Sequence, residues 1–424
     1  MIRVAVLGGS SVSTPQFADA LAGWADGAQQ RVELVLVGRS PDKLKFVASA
    51  CQRVVATTSE QRSVEVRWST SVDDALAEAN IIVNQVRVGG LQARAFDERF
   101  PWKLGLPGEE TMGPGGFSNA WRTLPVVREL FERCLAVAPQ ALIVNLTNPA
   151  GMVHQVAERV VRCPKVVTLC DSPITLAQTV AAFGGADLGN CRWIYTGMNH
   201  FGWLTSLGCD SHDVLGAALQ RSSELAVRIG VDAKILDWLG AVPNPYLRYV
   251  YHPQRQLKTQ RAKRRVRAEE LASFESEALR VYRAQSSDPR KLVHRRHAVW
   301  YEVCIVPLIA SVVEGRSIVM PVGTLNRGHL PFLPDDVMIE VTARVGGSQQ
   351  PQPLAADPMP DDSVAMLVRN SAYERFAVDA IMSQDREAAV RALAVNPLVP
   401  SVDIACAGVA AIEDRFGRLG TFSQ

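Results

Sequence analysis

The chain has 424 residues, with 45 basic and 43 acidic side chains, a formal net charge of +2, 47% hydrophobic residues and 21% charged residues. These are the proportions of an ordinary globular protein of two or three domains at about 150 residues each. They exclude a highly charged disordered chain and the concentrated basic excess of a dedicated nucleic-acid binder. No apolar run approaches the ~20 residues needed to span a bilayer, so no membrane partner is expected. The opening MIRVAVLGGSS is too briefly apolar for a signal peptide. The eight cysteines are scattered without paired spacing and read as reduced thiols in a cytoplasmic protein.

Along the chain, Arg3 to Leu7 is a short β-branched run that ends at Gly8-Gly9, and Pro15 to Trp24 follows with helical spacing. Val32 to Val37, Val64 to Trp68, Ile81 to Val86, Ala141 to Leu146 and Val166 to Leu169 continue the strand series. Strands separated by helices imply crossovers and a parallel sheet covered on both faces. The first half, 1–195, is therefore expected to be a doubly wound, Rossmann-like α/β domain with its crevice at the carboxyl ends of the strands. Beyond about 195 the rhythm changes to long helical patterns, Ala262 to Tyr282 and Ser371 to Val395, around a Pro/Gly-rich β-like region from Ile318 to Asp361. The second half, 196–424, is expected to be a mostly helical α+β domain for substrate and oligomer contacts. Gly346 to Pro360 reads as a surface loop.

Gly8-Gly9-Ser10-Ser11 lies between the first strand and its helix, where backbone N–H groups and a helix N-terminus can face a pyrophosphate. Read as G-x-G-x-x-G, the turn has Ser10 and Ser13 at its second and third glycines. A tight turn without a ligand is the competing reading. The second strand ends Val37-Gly38-Arg39-Ser40, with no carboxylate for a ribose. Arg39 beside a small residue suits a 2′-phosphate, but also suits a solvated loop, so NAD and NADP both stay open.

Cys170 and His200 each follow a predicted strand. A thiolate and an imidazole converging on one crevice could hold a divalent metal with open positions. The residues alone favour a buried thiol and an unrelated hydrogen-bonded histidine.

Five segments occur in an order that carries further meaning. They are Arg94-Ala95-Phe96-Asp97-Glu98 running into Gly108-Glu109-Glu110-Thr111-Met112-Gly113-Pro114-Gly115-Gly116; Asn145-Leu146-Thr147-Asn148-Pro149; Leu169-Cys170-Asp171-Ser172-Pro173; Gly197-Met198-Asn199-His200-Phe201-Gly202-Trp203; and Asn244-Pro245-Tyr246-Leu247-Arg248-Tyr249. In order and spacing they resemble the family 4 glycoside hydrolases, NAD- and metal-dependent enzymes that include 6-phospho-β-glucosidases and 6-phospho-α-glucosidases.

The resemblance implies hydrolysis of a small phosphorylated glycoside by oxidation at C3, deprotonation at C2, loss of the aglycone, water addition and re-reduction, outside the two-carboxylate rule of most glycosidases. It places a divalent metal on Cys170 and His200. Ligand softness points to zinc or iron, whereas the resemblance implies Mn²⁺. It implies Tyr246 as the base for C2 and Asp171 as the acid that assists the leaving group. Gly8, Gly9, Ser10, Ser11, Arg39 and Arg87 fall to the dinucleotide, and Arg94, Asn148, Asn199 and Arg267 to the substrate. Arg265 is an alternative to Arg267 within the run Arg261, Lys263, Arg264, Arg265, Arg267, which without the resemblance reads as a solvated helix face.

Cys170-Asp171 matches the α branch, where the β branch has Cys-Asn; the other segments look more like the β branch, which is favoured. Ser10, Gly38, Glu109 (for the usual Gln) and Arg327 depart from the pattern and suggest a divergent member with another C6 anion, a sulfonate or carboxylate, as an alternative substrate. A plain dehydrogenase and a catalytically silent nucleotide or sugar-phosphate sensor remain competing readings. A homodimer or homotetramer is expected.

Overall fold

In the computed structural model, residues 1–284, 288–296, 298–347 and 350–420 are described. Six strands build the first half: β1 (Ile2–Leu7), β2 (Val32–Val37), β3 (Val64–Ser69), β4 (Ile81–Asn84), β5 (Leu142–Asn145) and β6 (Val166–Thr168). They are parallel in the order β3-β2-β1-β4-β5-β6. Between them run α1 (Thr14–Gly27), α2 (Pro41–Thr58), α3 (Val72–Leu76), α4 (Gly90–Arg99), α5 (Gly113–Val137) and α6 (Ala150–Gln155), and α7 (Ser172–Phe183) follows β6. The strand order reverses between β1 and β4, the switch point where such sheets open a ligand crevice.

Burial follows the pleat. Val4, Val6, Leu34 and Leu36 pack into a core with α1 and α2, while Ala5, Leu7, Val35 and Val37 face a second core built on α5. Both faces of the sheet are thus buried, which is why its strands read as nearly unbroken apolar runs.

The sheet does not stop at β6. β7 (Arg192–Met198), β8 (Phe201–Cys209), β9 (His212–Asp213), β10 (Val242–Pro243), β11 (Ser317–Leu325), β12 (Met338–Gly346) and β13 (Gln352–Pro353) extend it to thirteen strands, continuing β6-β11-β12-β7-β8-β10 with antiparallel pairing. Residue 195 lies inside β7, so the two halves share one sheet across the expected boundary.

The long helical patterns are each broken. The first becomes helices Pro253–Ala262 and Arg267–Ala284, and the second becomes Asp361–Ser383 and Arg386–Val395, parted by Gln384 at φ +60° and the capping Asp385. The expected loop 346–360 instead carries β13 on the edge of β12; residues 348 and 349 of that span lie outside the described residues.

The expectation of uniformly reduced thiols is corrected at one place. Cys191 and Cys209 form a disulfide across β7 and β8, where Arg192 pairs with Gly208. The spacing gave no sign of this because register, not sequence distance, brings the pair together. No helix among the described residues is long and apolar enough to cross a membrane.

Candidate active site

The crevice is assembled from the carboxyl ends of the parallel strands. Gly8 has φ +81°, and a Cβ there would come within 2.8 Å of the Gln85 carbonyl oxygen that follows β4. Gly9 donates its N–H to Val37 at 2.7 Å, and a Cβ on it would meet Leu36 at 2.8 Å. Only glycine closes this turn against β2 and β4. Ser10 stands beside Gly38, where a Cβ would lie 3.1 Å from its Oγ, and Ser11 donates its N–H back to Gly8 at 3.2 Å. Arg39 is exposed and makes no hydrogen bond or ion pair with the described residues. The turn, the start of α1 and the carboxylate-free end of β2 fit a dinucleotide. Arg87 follows Val86, whose Cα a Cβ on Gly8 would meet at 3.0 Å, and its guanidinium pairs with Glu110.

His200 is placed by a two-residue connection, since Met198 pairs with Phe201 and leaves only Asn199 and His200 at the tip of the β7–β8 hairpin. That tight turn holds His200 at φ +60°, a left-handed conformation that costs a non-glycine residue on the order of 1 kcal/mol or more. Its Nε2 lies 3.4 Å from the Cys170 Sγ at the end of β6. An S and an N donor on one divalent ion at near-tetrahedral angles are separated by about 3.5 Å, so the pair fits a shared metal. Burial lowers the imidazole to about 4, leaving a neutral ring with a free lone pair. Burial, together with the Glu340 and Asp171 carboxylates, pushes the Cys170 thiol well above its ordinary range, so it ionises only when positive charge is supplied. Among the described residues no group of three or more His, Cys, Asp or Glu side chains converges as a metal cage. An ion on this pair therefore keeps open positions.

Tyr246 stacks on His200, ring centroids 3.7 Å apart and planes inclined by 6°. Asn244, fully buried, fixes the start of that segment: its Oδ1 accepts from Ser172 Oγ and Tyr246 N, both at 3.1 Å, and its Nδ2 donates to Tyr195 Oη at 3.0 Å. Asp171 precedes α7 without a side-chain capping bond, and burial raises its carboxyl above the ordinary value.

The cation sites are crowded with acids. Arg94 is ion-paired with Glu98 at 2.7 Å and Glu110 at 2.8 Å. Burial alone would raise Glu110, but the Arg87 and Arg94 charges outweigh it and hold that carboxyl low. Glu98 also accepts the Ala268 N–H at 2.8 Å, docking the Arg267–Ala284 helix onto α4. Arg267 itself is mostly exposed and paired with Glu270 at 2.9 Å, and Arg265 reaches Ser273 at 3.5 Å. Asn148 gives its carbonyl to Asn119 at 3.1 Å. Asn199 donates to Glu340 at 3.0 Å; burial raises this carboxyl to about 8, and its Oε2 has no hydrogen-bond partner among the described residues.

Comparison with known proteins decides the family. The family 4 glycosyl hydrolase model matches residues 3–186, and the family 4 glycosyl hydrolase C-terminal domain matches residues 195–399. The chain belongs to glycosyl hydrolase family 4. Among other family 4 proteins, it is 29% identical over 423 residues to a probable 6-phospho-beta-glucosidase of Bacillus subtilis, covering 95% of this chain and 94% of that one. A phospho-alpha-glucosidase of Clostridium acetobutylicum is 25% identical over 430 residues, covering 95% of both. The 6-phospho-beta glucosidase of Thermotoga maritima, solved with manganese, NAD+ and glucose-6-phosphate, superposes with a TM-score of 0.89 at 26% identity, over 99% of this chain and all of that one.

Three residues of this family 4 site carry roles that sequence reading did not assign. Thr111 holds His200 Nδ1 at 2.8 Å, Glu110 neutralises two arginines, and Asn244 anchors Tyr246. All three lie inside the quoted segments, but a single polar residue gives no periodic signal by which its partner could be named.

Proposed function

We propose that this protein is an NAD- and divalent-metal-dependent 6-phospho-β-glucosidase, which cleaves O-glycosidic bonds of 6-phosphorylated glycosides through oxidation at C3, deprotonation at C2, elimination, water addition and re-reduction. The observation that carries this reading is the convergence of Cys170, His200 and Tyr246 at the strand ends beside a glycine turn shaped for a dinucleotide. The Thermotoga maritima enzyme, with its bound manganese, NAD+ and glucose-6-phosphate, supports the cofactors and the substrate class.

When bound, the dinucleotide supplies a reversible oxidant for the sugar and the ion, Mn²⁺ in that relative, supplies Lewis acidity toward its C2 and C3 oxygens. Cys170 and His200 would hold the ion. Gly8, Gly9, Ser10 and Ser11 would present backbone N–H groups to the pyrophosphate, with Arg39 near the adenosine ribose. Tyr246 takes the C2 proton as its phenolate, a state that burial and the nearby Glu109, Cys170 and Glu110 charges oppose until positive charge enters the site. Asp171, whose raised carboxyl favours the protonated form, donates to the departing oxygen. Arg94, Asn148 and Asn199 would bind the substrate. Arg267 reaches a phosphate only by exchanging Glu270 for it, and Arg87 would serve the dinucleotide while paired with Glu110.

A second reading, the same chemistry on 6-phospho-α-glucosides, is favoured by one observation: Asp171 beside Cys170. Hydrolysis of p-nitrophenyl 6-phospho-β- and 6-phospho-α-glucosides with Mn²⁺ and NAD⁺ separates the two, and a 6-sulfonated analogue tests the anion. Release of aglycone without net NADH supports the recycling mechanism; NADH accumulation refutes it in favour of a dehydrogenase. A phosphorylated substrate supports a cytoplasmic location. The exposed Val368 and Phe376 on one helix support a homodimer or homotetramer, which light scattering tests.

A further inference from the structure

One carboxylate near the metal pair is unexplained by the reaction. Glu109 is buried, and its Oε2 accepts three hydrogen bonds: from the Thr111 hydroxyl, from Thr111 N at 2.6 Å and from Met112 N at 3.0 Å. Thr111 Oγ1 in turn lies 2.8 Å from His200 Nδ1, and His200 Nε2 faces Cys170. The four groups form a line: carboxylate, hydroxyl, imidazole, thiol.

The direction of that line follows from proton counting. A threonine hydroxyl has one proton to give. The Thr111 and Met112 backbone N–H groups both point at Oε2, so any carboxyl proton sits on the other oxygen, Oε2 stays an acceptor, and the Thr111 proton points to Glu109. The Thr111 oxygen then offers only lone pairs to the ring, and Nδ1 must be the nitrogen that bears hydrogen. Nε2 keeps its lone pair, aimed at the space beside Cys170. With Glu109 removed, the hydroxyl is free to turn and donate to Nδ1. The ring proton would then move to Nε2, where it blocks ligation.

We propose that Glu109 is a positioning residue, which acts through Thr111 to lock His200 in its metal-binding tautomer and, when ionised, adds negative charge behind the ligand. This rests on the reading of Cys170 and His200 as the metal pair. A hydrogen bond behind a ligating histidine governs the ligand's orientation and basicity, and its loss typically weakens metal binding by ~10–100-fold. Glutamine, the usual residue here in the resembling segment, would keep the direction of the line through its carbonyl and lose only the charge. The two parts of the proposal are therefore separable.

The test is ¹⁵N NMR of the metal-free enzyme, with His200 assigned by its absence in His200→Gln, together with Mn²⁺ binding followed by electron paramagnetic resonance of the free ion. Wild type and Glu109→Gln are expected to show the Nδ1–H tautomer. Thr111→Val and Glu109→Ala are expected to lose it, with Mn²⁺ affinity falling ~10–100-fold; Thr111→Ser restores both. Glu109→Gln is expected to weaken Mn²⁺ severalfold without changing the tautomer. An unchanged tautomer and unchanged affinity in Thr111→Val, with Mn²⁺ binding abolished in Cys170→Ser, would overturn the proposal and leave the metal pair standing. Unaltered Mn²⁺ binding in both Cys170→Ser and His200→Gln would instead remove the metal pair on which it rests.

Discussion

The rings of His200 and Tyr246 lie face to face, with centroids 3.7 Å apart and planes 6° from parallel. The stack ties the proposed base to a proposed metal ligand, so the two move as a unit. Removing only the phenolic oxygen should therefore separate chemistry from assembly. Tyr246→Phe is expected to keep the stack and Mn²⁺ affinity while kcat falls ~10²–10⁴-fold, the usual worth of a general base. Tyr246→Ala should lose activity and also weaken Mn²⁺ binding. Steady-state kinetics beside metal titration checks both.

Arg122 is almost wholly buried on α5. It holds Asp97 through two bonds of 2.9 and 2.5 Å, the Val88 carbonyl at 3.0 Å and the Ser118 carbonyl at 2.8 Å. It thereby fixes both α4, which carries Arg94, and the loop that carries Arg87. Arg122→Met leaves a buried carboxylate alone and should cost ~3–5 kcal/mol in denaturant unfolding. The double variant Arg122→Met/Asp97→Leu should recover much of that loss, because the pair's desolvation cost disappears with it.

Burial raises the Glu374 carboxyl to about 8, against an ordinary glutamate value of ~4.3 in the unfolded chain. Between those values the folded chain holds a proton that the unfolded chain has released, so this group lowers stability as pH rises through the interval. Gln155 and Asn370 are its partners, each at 3.4 Å, and their amides can turn to meet a glutamine. Glu374→Gln should match wild type near pH 4 and exceed it by on the order of a few kcal/mol above pH 8. Thermal unfolding at pH 4.5 and 8.5 checks this; equal differences at both pH values would contradict it.

The end of β2 bears Gly38 and an exposed Arg39, unpaired among the described residues, where a carboxylate would reject a 2′-phosphate. NADP⁺ is expected to bind within about tenfold of NAD⁺, and Arg39→Ala to weaken NADP⁺ selectively by ~5-fold, the worth of about 1 kcal/mol for an exposed ion pair. Equilibrium titration by fluorescence quenching measures both.

The parallel half was legible because strands buried on both faces, such as Val32–Val37, leave unbroken β-branched runs between helices. Pairing was not. β11 and β12 join β6 to β7 across more than a hundred residues, and nothing in their own composition names those neighbours. Helix breaks were missed where the apolar period continues through them, as at Gln384. In the site, Cys170, His200 and Tyr246 stood out as chemistry-bearing types in recognisable segments. Thr111 and Asn244 did not, because their importance lies in which hydrogen bonds the fold hands them.

The most direct test of the central claim, that the C–H bond at C2 breaks during hydrolysis, is turnover of a 6-phospho-β-glucoside in D₂O with Mn²⁺ and NAD⁺, followed by NMR of the glucose 6-phosphate released. The account requires one solvent deuterium at C2 in every product molecule. Product that retains its original hydrogen at C2 would show that the glycosidic bond is displaced directly and that Tyr246 is not a carbon base.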